Sequence, residues 1–303
     1  MKEDKKTLWI QAIKWPLYSV AIMPIFISAA FNLYSSGSFR IKNFIAFNFA
    51  SILILFWENL TNDLFDSSTG IDKFKFHSVV NLIKNKKIIF LIAYLSLIIG
   101  LLIIYDISTY TSFNVLFLVC GCCILGYLYQ GPPFRLGYLG LGEPLCWIAF
   151  GPLAHSAALI ALDPFNNNLL PWKESLILGS GPSLAITLVL FCSHFHQIKE
   201  DKKFGKNSPL VFIGAKRGAL LIPWIICLIY LIQFISILFR FLPPFCLLYL
   251  ISLPPALKLV NLLKTSHNKP LAVKNSKFIA IKFQTLNGIG IIIGLFYSFL
   301  FYK

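Results

Sequence analysis

Apolar and charged positions divide this chain into blocks. Between consecutive Asp, Glu, Lys or Arg residues lie nine long charge-free stretches, at residues 15–39, 43–57, 88–105, 107–134, 144–162, 175–198, 218–239, 241–257 and 283–302. A hydrocarbon core about 30 Å thick takes roughly 20 apolar residues of helix, so each stretch is a plausible span, the shortest, 43–57, with help from flanking residues. The pattern predicts an all-α, polytopic membrane protein of one domain over residues 1–303, with nine transmembrane helices. The spans fall at about 15–34, 43–60, 88–105, 111–130, 144–162, 174–196, 218–238, 241–258 and 283–302. A transmembrane β-barrel is excluded, because its strands are shorter and alternate apolar with polar residues.

Composition agrees, with 57% hydrophobic and 13% charged side chains. Charge adds orientation. If the N-terminus faces the cytoplasm and the spans alternate, 22 of the 27 Lys and Arg fall on the inner side. Only Arg40, Lys42, Lys173, Arg240 and Lys303 fall on the other. That asymmetry follows the positive-inside rule and predicts that the N-terminus and the acid-bearing loops face the cytoplasm. It explains the net charge of +15 without nucleic acid, for which no basic surface with interleaved aromatics exists. The seven Cys lie in apolar stretches with no CxxC pair and read as packing residues.

The 12 acidic residues are informative because they are few. Nine fall on the inner side: Glu3, Asp4, Glu58, Asp63, Asp66, Asp72, Glu143, Glu200 and Asp201. In WENLTNDLFDSSTGID, residues 57–72, Asn59, Asn62, Asp63 and Asp66 stand at i, i+3, i+4 and i+7, one stripe of a helix that Gly70 should end. Asp72 follows in the loop. Carboxylates so spaced suit Mg²⁺, which takes a few of them plus a substrate's phosphate oxygens. The alternative, polar residues that cap a helix end, fits one Asp better than two Asn and three Asp.

A second cluster, CSHFHQIKEDKKFGKNSPLVFIGAKRG, spans residues 192–218. His194, Gln197 and Asp201 share a helical stripe, with His196, Glu200 and the basic Lys202, Lys203 and Lys206 nearby. A carboxylate beside ammonium groups is what a metal-bridged diphosphate requires. A third inner connection, Tyr127 to Glu143, carries Tyr129, Arg135 and several Gly and Pro, and reads either as a tight turn or as a loop meeting the same face.

With these segments, the chain resembles the UbiA superfamily of intramembrane aromatic prenyltransferases, which implies nine helices around a central cavity, in a cell inner membrane or thylakoid. NDLFD followed by GID resembles the first acidic motif of the 1,4-dihydroxy-2-naphthoate prenyltransferase branch, and GPPFRLGYLGLGE the segment after its fourth span. The second motif departs from the usual DxxxD, with Gln197 in the first position, as in naphthoate phytyltransferases of cyanobacteria and plants. The resemblance implies a Mg²⁺-dependent prenyltransferase that moves a prenyl group, phytyl by preference, from its diphosphate to a 2-carboxy naphthalenoid ring with loss of CO₂, on the way to phylloquinone or menaquinone.

It implies metal contacts from Asp63, Asp66, Asp72, Glu200 and Asp201, with Asp63, Asp66 and Asp201 central to catalysis. Asn59, Asn62, Lys73, Arg135, Gln197 and Lys206 then serve the diphosphate. Tyr127, Tyr129, His194 and His196 face the prenyl chain or the aromatic acceptor. The expected partners are a prenyl diphosphate, a naphthoate and the lipid bilayer. Two alternatives stay open: a UbiA-like enzyme for a homogentisate-type or other acceptor, and a secondary transporter whose Pro243/Pro244, Pro254/Pro255 and Gly179 to Pro182 break helices at mid-membrane.

Overall fold

The computed structural model describes residues 5–70, 78–165 and 169–302. Within them the chain is helical, with no strand, and nine helices are long and apolar enough to cross a membrane. They are α1 (Leu8–Ser36), α2 (Ile41–Thr69), α3 (Lys86–Tyr110), α4 (Phe113–Gln130), α5 (Gly142–Leu162), α6 (Trp172–Ser193), α7 (Pro209–Leu238), α8 (Pro244–Ser266) and α9 (Pro270–Phe301). Several run past the charge-free stretches. α2 continues beyond Glu58 to Thr69, and α9 begins ahead of Lys274, Lys277 and Lys282. A helix satisfies its own backbone wherever it runs, so it need not stop where the side chains turn polar.

The ends are set by local chemistry. Gly70 closes α2 in the left-handed conformation (φ 84°). Asn85 caps α3, its Oδ1 accepting from the backbone of Lys87 and Ile88. The proline pairs lie at helix beginnings, Pro244 opening the 3₁₀ part of α8 and Pro254 and Pro255 its α-helical part, where no N–H is missed. Pro244 thus starts a span, whereas Pro254 and Pro255 mark the change from 3₁₀ to α-helix within α8. α5 widens at Ala149–Leu153, around Pro152, and α7 is interrupted at Gly214 (φ 79°, ψ 158°), a backbone only glycine adopts readily.

The outside of the bundle carries large apolar side chains such as Phe49, Leu91, Phe117, Trp224 and Phe301. An envelope of this kind is suited to lipid. Cys227 lies on it, so one of the seven cysteines is exposed instead of packed inside. The interior is small and partly polar. Gln233 and Asn287 exchange both amide hydrogen bonds (2.6 and 3.0 Å) between α7 and α9, and Asn32 of α1 donates to the Leu159 carbonyl of α5 at 3.1 Å. In lipid, where apolar burial no longer separates inside from outside, such bonds and close backbone approach hold helices together.

Gly290 and Gly294 show the close approach. The backbone of α8 lies directly on them: a β-carbon on Gly290 would fall 2.3 Å from the Leu248 carbonyl oxygen, and one on Gly294 2.5 Å from Cys246 Cα. Because rigid backbone, not a movable side chain, fills the space, Gly290→Leu should force α8 and α9 apart. The expected loss is about 3 kcal/mol or more, seen as a lowered Tm in detergent, with Ile292→Leu as a tolerated control.

Candidate active site

The connections that follow α2, α4 and α6 gather at one end of the bundle, and one loop joins them. That loop, residues 131–141, reverses through left-handed backbone at Arg135 (φ 45°) and Gly140 (φ 79°) and carries the 3₁₀ turn Leu136–Leu139. Tyr138, on this turn, donates to Asp66 Oδ1 of α2 at 2.8 Å and lies 3.0 Å from the Thr69 hydroxyl. Its backbone carbonyl accepts from Asn207 N at 2.9 Å, in the segment after α6. Burial first, and the Asp66 carboxylate second, hold the Tyr138 proton well above its ordinary range, so the phenol remains a donor.

On α2 the predicted stripe divides. Asp66, nearly buried, turns toward α4: besides Tyr138 it accepts from Gln130 Nε2 at 2.6 Å. Asp63, buried to 2% exposure, turns toward α1 and the short helix Val79–Ile83. It accepts from Val79 N at 3.0 Å and pairs with Lys14 Nζ at 3.4 Å. Asn59 lies beside Tyr18 of α1. Asp72 and Lys73 fall outside the described residues.

After α6 the expected stripe His194, Gln197, Asp201 is not one helix. α6 stops at Ser193, residues 194–197 turn, and a short helix Ile198–Lys203 follows, with Gln197 at its start in non-helical backbone (φ −123°). The turn still brings His194 Nδ1 within 3.2 Å of Asp201 Oδ2, which also accepts from Ser208 Oγ at 3.0 Å. Asp201 is fully buried, whereas Glu200 beside it is exposed, and Gln197 and His196 are half-buried. Lys206, 5% exposed, stands 5.3 Å from the centre of the Tyr138 ring and 6.0 Å from that of Tyr129.

Tyr129, near the end of α4, sits where the two acidic groups meet. Its phenol lies within electrostatic reach of Glu143, Asp66 and Asp201. The ring is wedged between glycines: a β-carbon would fall 2.7 Å from it at Gly137 and 2.5 Å at Gly142. Tyr127 is turned elsewhere, its hydroxyl donating to the Pro132 carbonyl at 2.7 Å and its ring edge-on to Phe65. Arg135 reaches the Ser68 hydroxyl at 3.1 Å and lies over the Tyr138 ring at 5.8 Å.

Gln130, Tyr138, Ser208, Glu143 and Lys14 are functional candidates that spacing did not supply. For all but Ser208, seven residues after Asp201, the signal is long-range and out of periodic register with the acids they touch. Glu143 was legible only as one more inner acid.

Among the described residues no three His, Cys, Asp or Glu side chains form a cage that holds an ion unaided. The donor set nevertheless fits a metal shared with phosphate. Asn62 Oδ1, Gln130 Oε1, both Glu143 oxygens and Asp201 Oδ1 are buried acceptors without a hydrogen bond, which a cation would satisfy. Asn59 Nδ2 and Arg135 Nε are buried donors without one, which phosphate oxygens would satisfy. Mg²⁺ is commonly bound by one or two carboxylates and the substrate's phosphates.

A bundle of spans with acids and bases sealed at one end is the architecture of an intramembrane transferase. The chain belongs to the UbiA prenyltransferase family, whose model matches residues 21–282. It is 42% identical to the 2-carboxy-1,4-naphthoquinone phytyltransferase of Synechocystis, over 93% of this chain and 91% of that protein. It is 35% identical to the chloroplastic 2-carboxy-1,4-naphthoquinone phytyltransferase of Arabidopsis thaliana, over 96% and 77%. Two solved structures share the fold. One is a UbiA homolog from Archaeoglobus fulgidus bound to GPP and Mg²⁺ (TM-score 0.54, 14% identity, 94% of this chain and 99% of that one). The other is a digeranylgeranylglyceryl phosphate synthase (TM-score 0.60, 16%, 97% and 99%).

The double grip on Asp66 gives a direct check. Tyr138→Phe and Gln130→Ala should each cost about 1–2 kcal/mol of stability, and the double variant more than both together, because it leaves a buried carboxylate without a donor. Thermal unfolding in detergent measures all three.

Proposed function

We propose that this protein transfers a phytyl group from phytyl diphosphate to 2-carboxy-1,4-naphthoquinone or its quinol, 1,4-dihydroxy-2-naphthoate, with decarboxylation, in phylloquinone synthesis. The observation that carries the reading is the meeting of Asp66, Asp201 and Glu143 around Tyr129, in a chain 42% identical to an enzyme of that name.

The allylic C–O bond breaks with its electron pair leaving on the diphosphate. The new C–C bond forms at the ring carbon that carries the carboxyl, and loss of CO₂ returns the ring's electrons. Asp63, Asp66 and Asp201, with Asp72 as a further ligand, would hold Mg²⁺ together with the diphosphate's own oxygens, Asp63 by giving up its bonds to Lys14 and Val79, and the ion would supply Lewis acidity to the departing diphosphate. Asn59, Asn62 and Arg135 offer donors to its oxygens, and Lys206 neutralises charge that the metal leaves. Gln197 and Lys73 stand in the same two connections and serve the same group, and Glu200 contributes charge from the rim. Tyr129, fixed by its glycines, presents a ring face to the allylic cation and excludes water from it. The naphthalenoid ring enters from the side of His194 and His196, with Tyr127 holding the loop that covers it. The acid-bearing end faces the cytoplasm or its organellar equivalent, by the Lys and Arg asymmetry.

Membranes containing the protein, incubated with 1,4-dihydroxy-2-naphthoate, Mg²⁺ and phytyl diphosphate, should yield a prenylated, decarboxylated naphthoquinol, identified by mass as the quinol or as the quinone that air oxidation makes of it. EDTA should abolish it, and Asp63→Asn should lower the rate at least about 100-fold, as expected when charge stabilisation of the leaving group is lost. Product in the presence of EDTA, or an undiminished rate in Asp63→Asn, would remove the metal assignment. Product with a benzenoid acceptor alone would remove the naphthoate.

A further inference from the structure

Glu143 opens the first turn of α5, where the helix N-terminus favours a negative charge. Its side chain is 13% exposed, and both carboxylate oxygens are buried without a hydrogen bond. The imidazole of His194 is beside it, its Nε2 standing 3.7 Å from Oε1, beyond the 2.7–2.9 Å of a charge-assisted bond. The same imidazole uses Nδ1 on Asp201, so one ring lies between two carboxylates of different helices. Asp201 is fully buried and its Oδ1 has no partner either. Gln130 Oε1, on the residue that donates to Asp66, makes a further orphaned acceptor. Buried carboxylate oxygens left without donors are costly, and they persist where something absent from the polypeptide completes them.

The basic side chains that face Glu143 are His194 and Lys206, and the phenol it shares with Asp66 and Asp201 is Tyr129. Gln197, in the turn that carries His194, brings no charge of its own. Gly142 admits the Tyr129 ring at a distance where no β-carbon fits, so the backbone that carries Glu143 is held against that ring. From this geometry we propose that Glu143 is a direct ligand of the divalent cation that binds with the diphosphate, a third carboxylate arm beside those of α2 and Asp201. His194 is a positioning residue that aims Glu143 and Asp201 from behind, as an imidazole does when it orients metal-bound carboxylates. The proposal rests on the metal-diphosphate reading above and extends it to an acid on α5.

The test is binding, not turnover. Mn²⁺ binding to the purified full chain in detergent is measured by electron paramagnetic resonance with inorganic pyrophosphate present, for the wild type, Glu143→Gln, Glu143→Asp and Glu174→Gln at the opposite end of the bundle. Tm in EDTA is recorded for each. Glu143→Gln should weaken Mn²⁺ binding at least tenfold, Glu143→Asp should recover part of that loss, and Glu174→Gln should match the wild type. The Tm of Glu143→Gln in EDTA should equal or exceed that of the wild type, because an amide is cheaper to bury than an uncompensated carboxylate. Unchanged Mn²⁺ affinity, or a Glu143→Gln protein that unfolds early or fails to fold, would make Glu143 a structural partner of His194 and overturn the proposal. Absence of Mn²⁺ binding in the wild type would overturn the metal-diphosphate reading itself.

Discussion

Asp66 is the point on which the acid-bearing end of this bundle is assembled. A carboxylate buried at the edge of a membrane has to be met by donors, and here they come from two other parts of the chain: Gln130 at the end of α4 and Tyr138 on the loop beyond it. The same Tyr138 residue is bonded through its carbonyl to Asn207, so satisfying Asp66 also fixes the segment after α6. Without that requirement, three connections separated by more than a hundred residues would have no reason to share a surface. Asp63 does the corresponding work on the other side of α2, binding Lys14 and the start of the helix at Val79.

The two acidic connections repeat a device. Asp63 receives the backbone N–H that follows Ser78, and Asp201 receives the hydroxyl of Ser208; each Ser stands directly before a helix. In both places an acid near the end of one span closes the beginning of the next helix, which leaves part of the carboxylate set facing inward. At Asp201 the inward part is Oδ1, buried and unbonded.

The fold was legible because lipid imposes a single rule on every span: charge is absent and the backbone bonds to itself. Charge-free runs therefore located the nine helices, and Gly70 located the end of α2. The site was legible where it is local. Asn59, Asn62, Asp63 and Asp66 do occupy one end of one helix, although the stripe is broad enough that neighbours split it between α1 and α4. It was not legible where it depends on chain reversal. Gln130, Tyr138 and Glu143 meet the acids only because the 131–141 loop folds back, and no periodicity carries that. The break at Gln197 was hidden for a related reason: the spacing of His194 and Asp201 suits a helix, yet the contact is made across a turn. Glu200 shows the converse, an acid adjacent in sequence to a buried ligand candidate and itself exposed.

The proposed chemistry requires acids from α2 and from the segment after α6 to grip one and the same metal-bound diphosphate. A double-mutant cycle on pyrophosphate affinity, with Mg²⁺ present, tests it most directly, using Asp66→Asn, Asp201→Asn and the pair. A shared ligand predicts strong non-additivity, a coupling of about 1 kcal/mol or more, since losing either arm already releases the complex. Strictly additive effects, or an Asp201→Asn protein that binds as the wild type does, would mean that the two groups serve separate purposes.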